Sequence, residues 1–245
     1  GKNIFVVATI SAVLTKMAPF ASWQNACFSI SGGQQLPLDS LLLALTAAGY
    51  ERVEIVDVQG QISLRGGILD IFPVGEPYPY RLEFFGDMVD SIRSFDLLSQ
   101  RSRETVSVLE ITPAREMVVG DVQRAEASAA LEAEMRQLAE QAGKRDRSEA
   151  GGRLREIVAE HLELIREGAY FPGMEQYLPY FYSDARALPD YFPKETLLFV
   201  DDPPRCQQAA EELLSQLGEM QSTLLAQGDI LLRQAEPAWT YGEVL

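Results

Sequence analysis

Hydrophobic and polar residues alternate along Gln61–Asp96 in the period of two that marks half-buried β-strands. In Gln61–Arg65, Ile62 and Leu64 point to one face and Ser63 and Arg65 to the other. Gly66-Gly67 predicts a bulge or sharp bend, after which Ile68–Phe72 reads as a more fully buried strand stopped by Pro73. Arg81–Phe85 is the next strand, and Gly86-Asp87 suits a two-residue hairpin turn. That turn sets Phe85 opposite Met88, Phe84 opposite Val89 and Leu82 opposite Ser91. Leu82, Phe84 and Val89 then face a core, which leaves Arg81, Glu83 and Phe85 on the other side with Met88 and Ile92. An aromatic, a methionine and an arginine are the types enriched where one protein docks on another. Two readings stay open on pattern alone: another element of the same domain covers this face, or a partner does.

The flanking segments predict a different architecture. Asn3–Thr9 is a continuous β-branched run, as in a parallel strand buried on both faces, and Ser11 is placed to cap a helix over Ala12–Met17. Pro37–Tyr50 predicts a helix with an apolar stripe of Leu38, Leu41, Leu42 and Leu45, ended by Gly49. Thr105–Ile111 adds one more alternating strand. Helices are expected over Asp121–Ala142, Leu154–Arg166 and from Pro203-Pro204 to Leu217, with further helix over Leu213–Leu232 broken near Gly218. Leu197–Val200 reads as a short buried strand, and Gly143–Ser148 as a solvated polar connection. The predicted fold is α/β: an α+β insert at 37–111, helix plus antiparallel strands, interrupts a parallel-sheet domain made of 1–36 and 112–245.

Charge narrows the function. The chain has 245 residues and a formal charge of −15, with six basic against twelve acidic residues between 37 and 111. Nothing forms a basic patch, so tight binding to a phosphate backbone is not expected. Cys27 and Cys206 are too few and too far apart for a disulfide framework and read as reduced cytosolic thiols; no run is long enough to span a membrane.

Candidate chemistry is sparse. No G-x-x-x-x-G-K-[ST] string occurs, and Gly32-Gly33 lacks the following lysine of a phosphate cradle. His161 lies on an apolar helix face without a nucleophile in any motif and reads as structural packing. The aromatic stretch Tyr170–Tyr182 contains no basic residue, which favours core packing over base stacking. Asp201-Asp202 reads as a helix N-terminus rather than a metal site. An active nucleotide-dependent helicase or nuclease domain is the competing class, and the missing cradle argues against it. No catalytic residue, metal or cofactor is expected in this chain.

The strings LRGGILDIFP, YRLEFFGD, SIRSFD, FPGMEQYLPYFY and LPDYFP resemble, in this order, the amino-terminal region of the bacterial transcription-repair coupling factors, itself similar to the excision-repair protein UvrB. UvrB shares the RGGILDIFP-like and GMEQY-like strings, so a UvrB fragment binding UvrA and damaged DNA is the alternative. The resemblance implies a degenerate RecA-like domain without a nucleotide site, carrying an insert that docks UvrA through Arg65, Arg81 and Phe85. Arg81 and Phe85 are two residues that alternation places on the surplus face. It also implies a cytoplasmic, non-catalytic piece of a longer protein whose absent motor domains use ATP and Mg and meet RNA polymerase and double-stranded DNA. Truncating any of the three docking residues should weaken UvrA binding and leave thermal stability nearly unchanged.

Overall fold

The alternation of residues 61–95 builds an antiparallel sheet. The computed structural model describes residues 5–142, 149–235 and 238–245, which divide into a unit of residues 21–120 and a unit made of residues up to 20 with 121–245. Two short helices come first, α1 (Ile10–Leu14) and α2 (Phe20–Asn25).

The 21–120 unit contains strand β1 (Phe28–Ser31), helix α3 (Leu38–Ala47) and strands β2 (Glu51–Arg52), β3 (Gln61–Arg65), β4 (Ile68–Phe72), β5 (Tyr80–Phe85), β6 (Met88–Phe95), β7 (Ser102–Thr105) and β8 (Val108–Ile111). Strands β2 to β7 form one sheet in sequence order, antiparallel except for the parallel β2–β3 edge, while β1 pairs antiparallel with β8. The expected leucine stripe of α3 forms as read. Leu41 and Leu45 are fully buried in a cluster with Ile62, Leu69, Ile71, Leu82, Val89 and Ile92 from the sheet and Ile30, Leu109 and Ile111 from the β1–β8 pair. Truncating such a leucine to alanine costs about 2–5 kcal/mol.

Both edges of this unit lie outside the expected 37–111. Residues 28–31 join it because Ile30 pairs with Leu109 and is buried in the same cluster. Residues 112–115 join it because the Tyr50 hydroxyl donates to the Thr112 carbonyl at 2.8 Å and Ala114 N–H to the Ala48 carbonyl at 2.8 Å. The single strand expected over Thr105–Ile111 is two, since the chain leaves the large sheet after Thr105 and returns to β1 at Val108.

Register differs from expectation at two places. Gly66-Gly67 is a two-residue hairpin turn, with Arg65 opposite Ile68 and Gly66 at φ +60°, a conformation that suits glycine at the first turn position. In the β5–β6 hairpin Phe85 faces Met88 and Phe84 faces Val89, but Glu83 faces Ser91 and Leu82 faces Ile92. Asp90 is therefore an extra, bulged residue that turns Ile92 into the core, where it is fully buried rather than on the outer face.

The second unit is helical: α4 (Asp121–Ala142), α5 (Glu149–Glu167), α6 (Leu178–Phe181), α7 (Pro203–Gln227) and α8 (Tyr241–Val244) accompany α1. Thr9, not Ser11, caps α1, its hydroxyl accepting from Ala12 N–H. Helix α7 passes through Gly218 unbroken to Gln227 and is capped at its start by Asp202, whose carboxylate accepts from Arg205 N–H at 3.3 Å. Phe171, Tyr177, Tyr180, Phe181 and Tyr182 are all buried, so the aromatic stretch is core. The expected strands at Asn3–Thr9 and Leu197–Val200 do not form among the described residues. Phe5, Val7, Leu197 and Phe199 are exposed, and none of them has a ladder partner. A strand buried on both faces needs neighbours along both edges, and the described residues of this unit contain no strand to supply them. The polar connection expected at Gly143–Ser148 lies outside the described residues.

Candidate docking site

The outer face of the large sheet holds a second, smaller set of packed side chains. Alternation sends Ser63 and Arg65 of β3, Ile68, Asp70 and Phe72 of β4, Arg81, Glu83 and Phe85 of β5, and Phe95 of β6 away from the α3 core. Phe72 and Phe95 are buried yet stand outside the core cluster, forming an apolar floor on this side.

Asp70 sits in that floor with a side chain only 2% exposed. A buried carboxylate has to be paired, and two arginines pair this one. Arg81 donates from Nε to Oδ1 at 2.7 Å and from Nη2 to Oδ2 at 2.8 Å, while Arg65 Nη2 donates to Oδ2 at 2.7 Å. The Asp70 hydrogen bonds hold the Arg81 guanidinium further above its ordinary pKa. The guanidinium also lies 4.5 Å from the centre of the Phe95 ring, and its Nη2 reaches Gln100 Oε1 at 3.3 Å. Gln100 is held in a left-handed conformation, φ +57°, with its N–H on the Asp96 carbonyl and its Nε2 on the Leu97 carbonyl. Arg81 keeps a side-chain exposure of 20% and Arg65 of 51%, so both present guanidinium N–H groups to solvent.

Phe85 ends β5 just before Gly86, which turns the hairpin at φ +60°. Its residue exposure is 79%, against partly buried Phe84, which packs on the core. The expected sorting of these two neighbours is therefore correct. Arg65, Arg81 and Phe85 lie on one face, two of them joined through Asp70. Glu83 accepts from the Ser91 hydroxyl at 2.9 Å and lies 3.5 Å from Arg93. Asp70, Phe95 and Gln100 were missed by sequence reasoning. The signal for Asp70 was present: one acid in the apolar string Ile68-Leu69-Asp70-Ile71-Phe72, on strands whose outward residues include two arginines.

His161 is a packing residue. It stacks on Phe171 at 4.2 Å between ring centres, and its Nδ1 lies 2.8 Å from the Tyr177 hydroxyl. Burial lowers its pKa. Burial also raises the Cys27 thiol. Among the described residues, no three of His, Cys, Asp or Glu could hold a metal ion, and no helix is long and apolar enough to cross a membrane.

Residues 28–117 match the family of the UvrB interaction domain, spanning β1 to just beyond β8 and thus most of the 21–120 unit. The chain is 34% identical over 235 residues to the transcription-repair-coupling factor of Bacillus subtilis (strain 168), covering 94% of this chain and 19% of that protein. It is 34% identical over 200 residues to the same factor of Haemophilus influenzae, covering 82% and 16%, and 32% identical over 217 residues to that of Myxococcus xanthus, covering 86% and 17%. The chain belongs to the transcription-repair-coupling factor family. It spans about a fifth of the length of these curated relatives. The similarity to coupling factors runs well past the interaction domain into the helical unit. The chain is a UvrB-like module of a coupling factor, and the Arg65, Arg81 and Phe85 face lies within its interaction domain.

Proposed function

We propose that the 21–120 unit recruits UvrA in nucleotide excision repair, docking it through Arg65, Arg81 and Phe85. The observation that carries this reading is Phe85, a large aromatic 79% exposed on the same face as two arginines, in a unit that matches a UvrB interaction domain. Exposed aromatics beside arginine are the residues that dominate binding energy in interfaces. The acidic balance of the chain supports a protein rather than a nucleic-acid partner, since Arg65 and Arg81 are already paired with Asp70 and Arg93 lies beside Glu83.

In this reading the module is non-catalytic and needs no cofactor. The longer cytoplasmic protein supplies an ATP- and Mg-dependent translocase that removes stalled RNA polymerase from double-stranded DNA, so that UvrA arrives where transcription has stopped. The helical unit is read as part of a RecA-like domain. What supports this is the similarity to coupling factors, which continues through this unit, together with a cleft of about 610 Å³ lined by the apolar residues Val6, Val7, Leu198, Phe199 and Val200.

Calorimetric titration of the chain with purified UvrA tests the proposal. Saturable binding weakened at least tenfold by Phe85→Ala, with an unchanged thermal midpoint, is the expected result. Absence of binding, or equal binding by wild type and Phe85→Ala, overturns it.

A further inference from the structure

We infer that Asp70 is a positioning residue for the docking face: it contributes to partner binding through Arg65 and Arg81, whose guanidinium groups it fixes, and not through contact of its own. The inference rests on the docking role proposed above.

The geometry separates this role from that of an ordinary structural ion pair. Asp70 belongs to the outer face, away from the cluster beneath α3. Both its carboxylate oxygens are consumed by arginine N–H groups, and at 2% exposure it has no surface left to offer a partner. Each arginine, by contrast, spends only part of its donor set. Arg81 uses Nε and Nη2 and Arg65 uses Nη2, so among the described residues Arg81 Nη1 and Arg65 Nε and Nη1 make no bond to the protein.

An unheld arginine samples many rotamers and loses that freedom on binding. Here Asp70 fixes the plane of the Arg81 fork from one side, Gln100 holds its Nη2 and Phe95 floors it. Arg65 is drawn to the same carboxylate oxygen, Oδ2, so one anion orders two cations whose outward donors suit the carboxylate or carbonyl groups of a protein. The trio of two arginines and one aspartate keeps a net positive charge, so neutralising Asp70 raises the positive field of the face. Simple charge attraction to an acidic partner and positioning by Asp70 therefore predict opposite outcomes for its removal.

The test is Asp70→Asn in the 245-residue chain, titrated with purified UvrA in the unaltered and the Arg81→Ala backgrounds. Positioning predicts a loss of about tenfold in the unaltered background, the cost of ordering two long side chains at the interface, and a much smaller further loss once Arg81 is absent. An equal loss in both backgrounds, no change, or tighter binding overturns the inference. Side-chain amide NMR of the free chain reads the same point without UvrA: the Arg81 Nε–H resonance should be distinct and slow to exchange in wild type and should collapse towards the solvent-averaged position in Asp70→Asn. An unchanged resonance overturns the inference. If wild type fails to bind UvrA, the docking role falls, and the resonance alone then decides whether Asp70 orders the arginines. Should Asp70→Asn not fold, Asp70→Glu replaces it: it keeps the charge but displaces the carboxylate by one methylene, so full binding by that variant would show that position is irrelevant.

Discussion

Arg81 grips Asp70 as a fork, with Nε on Oδ1 at 2.7 Å and Nη2 on Oδ2 at 2.8 Å. Arg65 reaches the same carboxylate through a single 2.7 Å bond from a side chain that is half exposed. The two arginines therefore contribute unequally to folding. Arg81→Ala leaves a buried carboxylate short of two donors and should cost about 2 kcal/mol. Arg65→Ala removes a solvent-screened bond and should stay within about 0.5 kcal/mol. Urea unfolding of the two variants checks this against the expectation that truncating any of the three residues leaves thermal stability nearly unchanged.

Phe85→Ala should shift the unfolding free energy by less than about 0.5 kcal/mol, since the ring is mostly in solvent. Phe84→Ala should cost about 2–3 kcal/mol, less than a fully enclosed phenylalanine because its ring packs on the core only in part. Equal destabilisation by the two would mean that Phe85 is internal packing.

Gly86 has open space where a Cβ would stand, and only its φ of +60° resists a side chain. Gly86→Val should therefore destabilise by about 1–2 kcal/mol from backbone strain alone. It should also weaken UvrA binding by displacing Phe85 at the hairpin end. Chemical shifts confined to residues near the turn, with lowered affinity, are the expected signature.

His161 offers a pH readout for the helical unit. Burial lowers its folded pKa below the ordinary 6.5, so the folded state prefers the neutral ring. Its contribution to stability is fully present above pH 6.5 and is lost as pH falls through the lower folded value. Between pH 7 and 5 the wild-type thermal midpoint should fall more steeply than that of His161→Gln. Identical slopes for the two proteins would remove His161 as the cause.

Much of the proposed docking face was legible in the sequence because alternation is a local property of a strand. Arg81, Glu83 and Phe85 share a face whatever lies around them. What failed was what depends on pairing. Val89 and Ile92 are both core residues yet stand three positions apart, a spacing that alternation alone cannot produce and that Asp90 reconciles as a bulge. The boundary at 21 was hidden because the strand at Phe28–Ser31 pairs with β8, about eighty residues later. The runs at 3–9 and 197–200 have the composition of buried strands, but composition does not provide the neighbouring strand that burial requires.

Those two runs give the isolated chain an adhesive seam. Val6, Val7, Leu198 and Phe199 are exposed and border one cleft, and an exposed apolar patch of this kind joins molecules together when concentration rises. Purified chain should sediment as a monomer when dilute and gather into larger species when concentrated. Charged replacements at Val7 and Phe199 should hold it monodisperse without touching the arginine face in the other unit.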